Sequence, residues 1–217
     1  TRGVFAVQEV EPDIIAKQLD AVMEDIGAAA AKTGMLSSAA IIEVVADGAR
    51  RHGLDQLVVD PVMVAKSGDP LLQPEAVDAL RQRLLPLALV VTPNIPEAEV
   101  LTGRKLETDE QLRDAAKAIY DMGPRLVVVK GGHRQGEAAD VLFDGRHFHT
   151  FHATRVDTPH THGTGCTFSA AIAAGLAKGQ PPVQAVGEAK RYLTEAIKQA
   201  YAIGGGHSPV HHFHALW

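Results

Sequence analysis

Leu87-Ala88-Leu89-Val90-Val91-Thr92, a helical pattern from about Glu107 to Met122, and then Arg125-Leu126-Val127-Val128-Val129-Lys130 form the stretch whose reading decides the fold. Two short apolar runs rich in valine are separated by one amphipathic segment, the pattern of a strand, a crossover helix and a second strand. The same rhythm extends upstream. Gln56-Leu57-Val58-Val59-Asp60 is a further apolar run, ending in a carboxylate before Pro61 and read as a central strand. It is followed by a helix from Pro74 to about Leu84. Ser37 and Ser38 are placed to cap a helix through about Arg51. Ile14, Ile15, Leu19, Val22, Met23 and Ile26 fall at near-helical spacing within residues 13–26, and the small-residue run Ala28 to Ala31 before Gly34 reads as a short buried strand. Strands that alternate with helices imply right-handed crossovers and a mostly parallel sheet.

Downstream the rhythm breaks. Val141, Phe143, Phe148 and Thr150 flank Asp144-Gly145, a signal for a tight two-residue hairpin, which predicts an antiparallel hairpin at the sheet's edge. From Cys166 to about Tyr201 two helices are predicted, separated by Gly179-Gln180-Pro181-Pro182. No internal repeat, low-complexity tract or linker divides the chain, so residues 1–217 are expected to form a single domain.

The chain has 217 residues, of which 46% are hydrophobic, enough for one sizeable core. Its 21 basic and 26 acidic side chains leave a formal charge of -5, which argues against a nucleic-acid partner or an anionic membrane surface. Apolar stretches such as Leu84 to Val91 fall far short of the roughly 20 residues that span a bilayer, and no signal segment opens the chain. One cysteine, Cys166, rules out an intrachain disulfide framework and fits a reducing, cytoplasmic location. Thr1 is not an initiator methionine, and Thr1 to Val10 begins without a preceding cap or turn, which predicts further sequence upstream.

The segment that carries most chemistry is His160-Thr161-His162-Gly163-Thr164-Gly165-Cys166-Thr167, running into the small-residue helix Phe168 to Lys178. Glycines at 163 and 165 let backbone amides converge without Cβ obstruction, and a helix N-terminus behind them adds a field that favours anions. Such a turn can hold the charge that develops on a transferring phosphoryl group. Cys166 falls in the first turn of that helix, where thiolates are favoured, so it can accept a proton. The bland alternative is a glycine-rich start of a helix carrying an inert buried cysteine.

This segment resembles the glycine-threonine-glycine-cysteine anion hole of the hydroxymethylpyrimidine/phosphomethylpyrimidine kinases of thiamine biosynthesis, members of the ribokinase-like superfamily. In that family cysteine stands where most ribokinase-like enzymes have an aspartate base. Other stretches agree. Asp60-Pro61-Val62-Met63 with Lys66-Ser67-Gly68 resembles the family's strand-end acid and flap, and Thr92-Pro93-Asn94-Ile95-Pro96-Glu97 its N-x-x-E motif. Lys130-Gly131-Gly132-His133 resembles its phosphate-side turn, and His207 to Trp217 its histidine-rich end. The resemblance implies an α/β fold, a ribokinase-like three-layer αβα sandwich with a mostly parallel central sheet and an edge hairpin. It also implies ATP and Mg2+ as cofactors, a pyrimidine alcohol and its phosphate as substrates, and a homodimer. The family begins with a strand and a glycine-rich segment that helps enclose the pyrimidine. Nothing like it precedes Thr1, so the first β-α portion of the domain is expected to be missing.

Asn94 and Glu97 lie one turn apart at a strand-to-helix junction, where Glu97 can hold Mg2+ and Asn94 can bond a nucleotide phosphate. A helix cap and a solvated glutamate are the alternative. Lys130, ending a strand before two glycines, can present a compact positive charge to the triphosphate, or can simply snorkel. Asp60 is read as an acid that organises magnesium or phosphate, against a turn residue before Pro61. Lys66, among Ser67, Gly68, Asp69 and Pro70, can close over the transferred phosphate or can be a solvated loop lysine. Asp157, with Thr158 and Pro159, resembles the family's approach to the nucleotide but is also an ordinary turn signal. His160, His162 and Cys166, and His207, His211, His212 and His214, admit a zinc reading that the anion turn makes unnecessary for the first group. Three rivals stand beside the pyrimidine kinase: a pyridoxine or pyridoxal kinase of the same fold, a non-catalytic pyrimidine- or nucleotide-binding module, and a metal-dependent hydrolase.

Overall fold

In the computed structural model the described residues are 2–3, 5–63, 72, 74–132 and 138–216. Four apolar runs pair side by side as parallel strands: β1 (Ala31–Thr33), β2 (Leu57–Val59), β3 (Val90–Val91) and β4 (Leu126–Val129). β5 (Asp140–Phe143) then pairs antiparallel with β4, and β6 (Phe148–Phe151) antiparallel with β5, so that order in the sheet follows order in the chain. The parallel ladder is longer than β3 alone, because Leu89 N donates to Leu57 O and Thr92 N to Val59 O.

The central strands are buried on both faces, and alternate residues feed two different cores. Leu57, Val59, Val91, Val127 and Val129 pack with Ile42 and Ala46 of α2 (Ala39–Arg51), Leu101 of α4 (Ile95–Thr102) and Leu112 and Ile119 of α5 (Asp109–Tyr120). Val58, Val90, Val128 and Leu142 face the other way, onto Phe168, Ile172 and Leu176 of α6 (Thr164–Ala177) and Val186 of α7 (Pro182–Lys198). Each such valine or leucine contributes about 1.5–3 kcal/mol by leaving water. The result is the expected three-layer α/β arrangement. Among the described residues no helix is long and apolar enough to cross a membrane.

Three local expectations shift. β1 is only half-buried, because it lies at the edge of the sheet rather than inside it. The helix expected from Pro74 to Leu84 is α-helical only at α3 (Pro74–Ala79); it widens into a π-helical turn at Leu80–Leu84 and tightens into a 3-10 turn at Leu85–Leu87, displacing the next strand to Val90. Pro86, which cannot donate a backbone hydrogen bond, sits in that tightened turn. In the hairpin Asp144 N donates to His147 O, so the two central residues are Gly145 and Arg146, one position later than the sequence signal. Gly145, at φ 90°, supplies the left-handed residue. The Asp144 carboxylate accepts from the amides of His147 and Arg146 and bonds the His149 ring, and these contacts hold its pKa below the usual carboxylate range. The first helix, α1 (Pro12–Asp25), buries no residue and is fastened to α2 by Asp20, which accepts from Arg51 and bonds the ring of His52.

Candidate active site

The carboxyl ends of β2, β3 and β4 deliver three polar residues to one point. Asp60, one residue past β2, is only 1% exposed. A carboxylate so deeply buried must be compensated, and it is: Lys130 Nζ, just past β4, lies 2.8 Å from its Oδ1, and the Thr92 hydroxyl, just past β3, donates to the same oxygen at 3.2 Å. Ser169 of α6 donates to Oδ2 at 3.4 Å. The chain at Lys130 is itself held, since its N–H donates to Pro93 O at 2.8 Å and it bridges Asn94. Burial opposes a charge on Lys130, but the carboxylates of Asp60 and Glu97 outweigh it and its pKa lies above the ordinary lysine value. Lys130 therefore stands as an ammonium held beside two acids, and not as a lysine snorkelling into solvent.

Asn94 and Glu97 form a reciprocal cap at the start of α4. Asn94 Oδ1 accepts from Glu97 N, and Glu97 Oε2 accepts from Asn94 N, both at 2.8 Å. The capping alternative for Asn94 thus describes what its carbonyl oxygen does. The solvated alternative for Glu97 does not hold, because that residue is buried at 4% exposure. Burial raises its pKa from 4.5 to about 7, against the pull of the Lys130 charge and the Asn94 amide, with the Asp60 charge adding to the rise.

The glycine-rich turn closes on this cluster from the other side. Gly163 caps α6 in a left-handed conformation, φ 79°, with no side-chain cap. The first bond at the start of this helix runs from Thr167 N to Gly163 O. The amides of Thr164, Gly165 and Cys166 precede it, and such amides have no partner within their own helix. Gly165 faces the charge pair so closely that a Cβ there would lie 3.2 Å from Lys130 Nζ and 3.6 Å from Asp60 Oδ2. Cys166 is exposed, which excludes the inert buried cysteine. Its side also borders an open groove of about 690 Å3 shared with Lys32, Tyr192 and His212.

Sequence reasoning thus brought Asp60, Asn94, Glu97, Lys130 and the Gly163–Cys166 turn to one crevice. Lys66 lies outside the described residues. Asp157 is exposed, and no hydrogen bond or ion pair among the described residues joins it to the crevice. Three histidines of the zinc reading are occupied separately: His207 Nδ1 meets Pro159 O, His214 Nδ1 meets His211 O, and His212 Nε2 meets the Thr167 hydroxyl. No cluster of three or more metal-ligating side chains occurs among the described residues.

Several contributors escaped the sequence reading. Ser169 sits four residues after Gly165, hence on the same helix face, which was the available signal. The chain's end also braces the turn. His162 N donates to Ser208 O, His162 bridges Pro209, and the Tyr192 hydroxyl donates to His212 O.

The arrangement of an ammonium, two buried carboxylates and a glycine-flanked helix N-terminus suits phosphoryl transfer, and comparison with known proteins agrees. The family described as Phosphomethylpyrimidine kinase matches residues 1–211. The hydroxymethylpyrimidine/phosphomethylpyrimidine kinase of Rhizobium meliloti strain 1021 is 53% identical over all of this chain and 83% of its own length. Among solved structures, the phosphomethylpyrimidine kinase of Clostridium difficile 630 superposes with a TM-score of 0.80 at 43% identity, over 90% of this chain and 80% of that one. An ADP complex of Bacillus subtilis pyridoxal kinase superposes with a TM-score of 0.90 at 39% identity, over 97% of this chain and 79% of that one.

Proposed function

The chain belongs to the phosphomethylpyrimidine kinase family, and from that premise we propose that it phosphorylates 4-amino-5-hydroxymethyl-2-methylpyrimidine and then the resulting monophosphate, with ATP as donor. The observation that carries this reading is the approach of the Gly165 backbone to the Lys130–Asp60 pair, with exposed Cys166 one residue further on.

In this reading the amides of Thr164, Gly165 and Cys166 and the Lys130 ammonium hold the terminal phosphate and the charge that spreads over it as the bond to the leaving ADP stretches. Asp60 keeps Lys130 charged and aimed, while Thr92 and Ser169 fix Asp60. Cys166 Sγ takes the proton from the acceptor's hydroxyl as that oxygen forms its bond to phosphorus. ADP leaves with the electrons of the broken P–O bond. In the second transfer the acceptor oxygen belongs to a phosphate and is already anionic, so no base is required. Residues fit for Mg2+ are present. Glu97 is a buried carboxyl that resists ionisation near neutrality, and Asp60 lies close enough for its charge to act on it. A cation bound there would favour the ionised form. Bound Mg2+ would supply charge neutralisation on the phosphates.

Cys166→Ala tests the base. The first transfer is expected to slow by about 10²–10⁴, and the second by less than about tenfold, measured as separate steady-state rates on the alcohol and on the monophosphate. Equal losses on both acceptors would remove Cys166 from the role of base. The structural likeness to pyridoxal kinase supports a second reading, in which the alcohol is pyridoxal or pyridoxine. The ratio of kcat/KM on the two alcohols decides between them, and the pyrimidine is expected to win.

A further inference from the structure

Two buried ion pairs flank the turn that follows β4, and only one of them touches the proposed site. The second joins Asp140, the first residue of β5, to Lys190 in the middle of α7: Lys190 Nζ lies 2.7 Å from Asp140 Oδ2, with 8% and 5% of the two residues exposed. The other carboxylate oxygen, Oδ1, accepts from Gly131 N at 2.9 Å. Gly131 directly follows Lys130, and its α-carbon is pressed so closely to the Ala139 carbonyl oxygen that no side chain would fit. Asp140 therefore grips the backbone next to Lys130 from one side while Lys190 fixes the direction of its carboxylate from the other.

We propose that Asp140 and Lys190 are positioning residues for the phosphate-side turn: Lys190 aims the Asp140 carboxylate, Asp140 holds the Gly131 amide, and the Gly131 amide sets the backbone from which Lys130 reaches the nucleotide. The inference rests on the reading of Lys130 as a phosphate ligand. A purely stabilising pair has no need to spend one carboxylate oxygen on this one amide, and burying two charges is rarely the most stable use of two positions. The position is also out of pattern in the sequence. Lys190 occupies the α7 face between Val186 and Leu193, where spacing calls for an apolar residue.

Two double variants separate positioning from mere stability, because neither leaves a lone buried charge. Asp140→Asn with Lys190→Met keeps an oxygen for the Gly131 amide, whereas Asp140→Leu with Lys190→Met removes it. The first is expected to keep the ATP KM within about threefold of the parent. The second is expected to raise it by about tenfold, the effect of one lost buried hydrogen bond, with the acceptor KM unchanged in both. The same ATP KM in the two doubles would overturn the proposal. If the leucine double does not fold, single Lys190→Met, which leaves the carboxylate free to turn, carries the test. It should raise the ATP KM without raising the acceptor KM, and a fall in kcat alone would overturn the proposal. Lys130→Met measured in parallel distinguishes the two levels. If it leaves the ATP KM unchanged, the phosphate-site reading fails. If it raises the ATP KM while the Asp140 and Lys190 variants do not, only the present inference fails.

Discussion

The two buried lysine–aspartate pairs, Asp60–Lys130 and Asp140–Lys190, have nearly the same geometry, 2.8 and 2.7 Å, and both involve a residue at a strand end. Their surroundings differ. In both pairs protein groups satisfy each carboxylate oxygen, Lys130, Thr92 and Ser169 at Asp60 and Lys190 and the Gly131 amide at Asp140, so the difference lies with the lysines. Lys130 faces the Gly165 turn and its helix N-terminus, with 15% of its side chain exposed against 10% for that of Lys190. The comparison teaches that a buried ion pair is not itself a sign of catalysis. What marks the pair proposed to be functional is a charged group that faces amides a helix leaves unpaired.

The largest expected effect breaks the two pairs apart. Lys130→Met leaves Asp60 as a lone buried acid, so both stability and turnover fall. Adding Asp60→Asn removes that charge and is expected to restore most of the melting temperature, while kcat/KM for ATP stays down by about 10²–10³ because the phosphate still lacks its cation. The matching double at 140 and 190 restores both. Calorimetric melting alongside steady-state kinetics checks this, and recovery of turnover in the Asp60→Asn, Lys130→Met double would erase the distinction between the pairs.

A smaller effect sharpens the charge balance around Lys130. With a pKa of about 7 in the fold against 4.5 for an ordinary glutamate, Glu97 keeps a proton that the unfolded chain releases. Its contribution favours the fold at low pH and is lost as pH rises through that interval. Glu97→Gln cannot ionise, so its melting temperature should gain on that of the parent between pH 5 and 8, while Mg2+-dependent turnover drops by about 10- to 100-fold. Parallel melting curves across that range would refute the raised pKa. The smallest effect is that of Gly165→Ala. The new methyl would press on Lys130 at 3.2 Å, and the flexible end of a lysine can yield, so a rise of about tenfold in the ATP KM is expected with little change in melting temperature. An unchanged KM would mean that the nucleotide does not use the space between Gly165 and Lys130.

Much of this site was legible in the sequence because its signals are local. An acid or a lysine ending an apolar run, and glycines before a small-residue helix, announce themselves within a few residues. The sheet was legible for the same reason, since Val58 and Val90 belong to short apolar runs bounded by turns. Sequence reading failed where the partner is remote. Asp140 and Lys190 are 50 residues apart, and Ser169 reaches Asp60 across 109. Nothing within either segment names the other. The π-helical turn at Leu80–Leu84 was equally hidden, because its leucines fit an α-helical pattern and the widening shows only in backbone bonds. The tail was seen as a run of histidines, whereas its main contribution to the turn is made by the Ser208 carbonyl, which no side-chain pattern encodes.

The proposed phosphotransfer requires the nucleotide's terminal phosphate to sit in the crevice between Lys130 and the α6 N-terminus. A crystal structure of the protein with AMP-PCP and Mg2+ tests that directly. Terminal phosphate oxygens are expected within hydrogen-bond distance of Lys130 Nζ and of the Gly165 and Cys166 amides. A phosphate bound elsewhere, with Lys130 still closed on Asp60 and those amides unused, would contradict it.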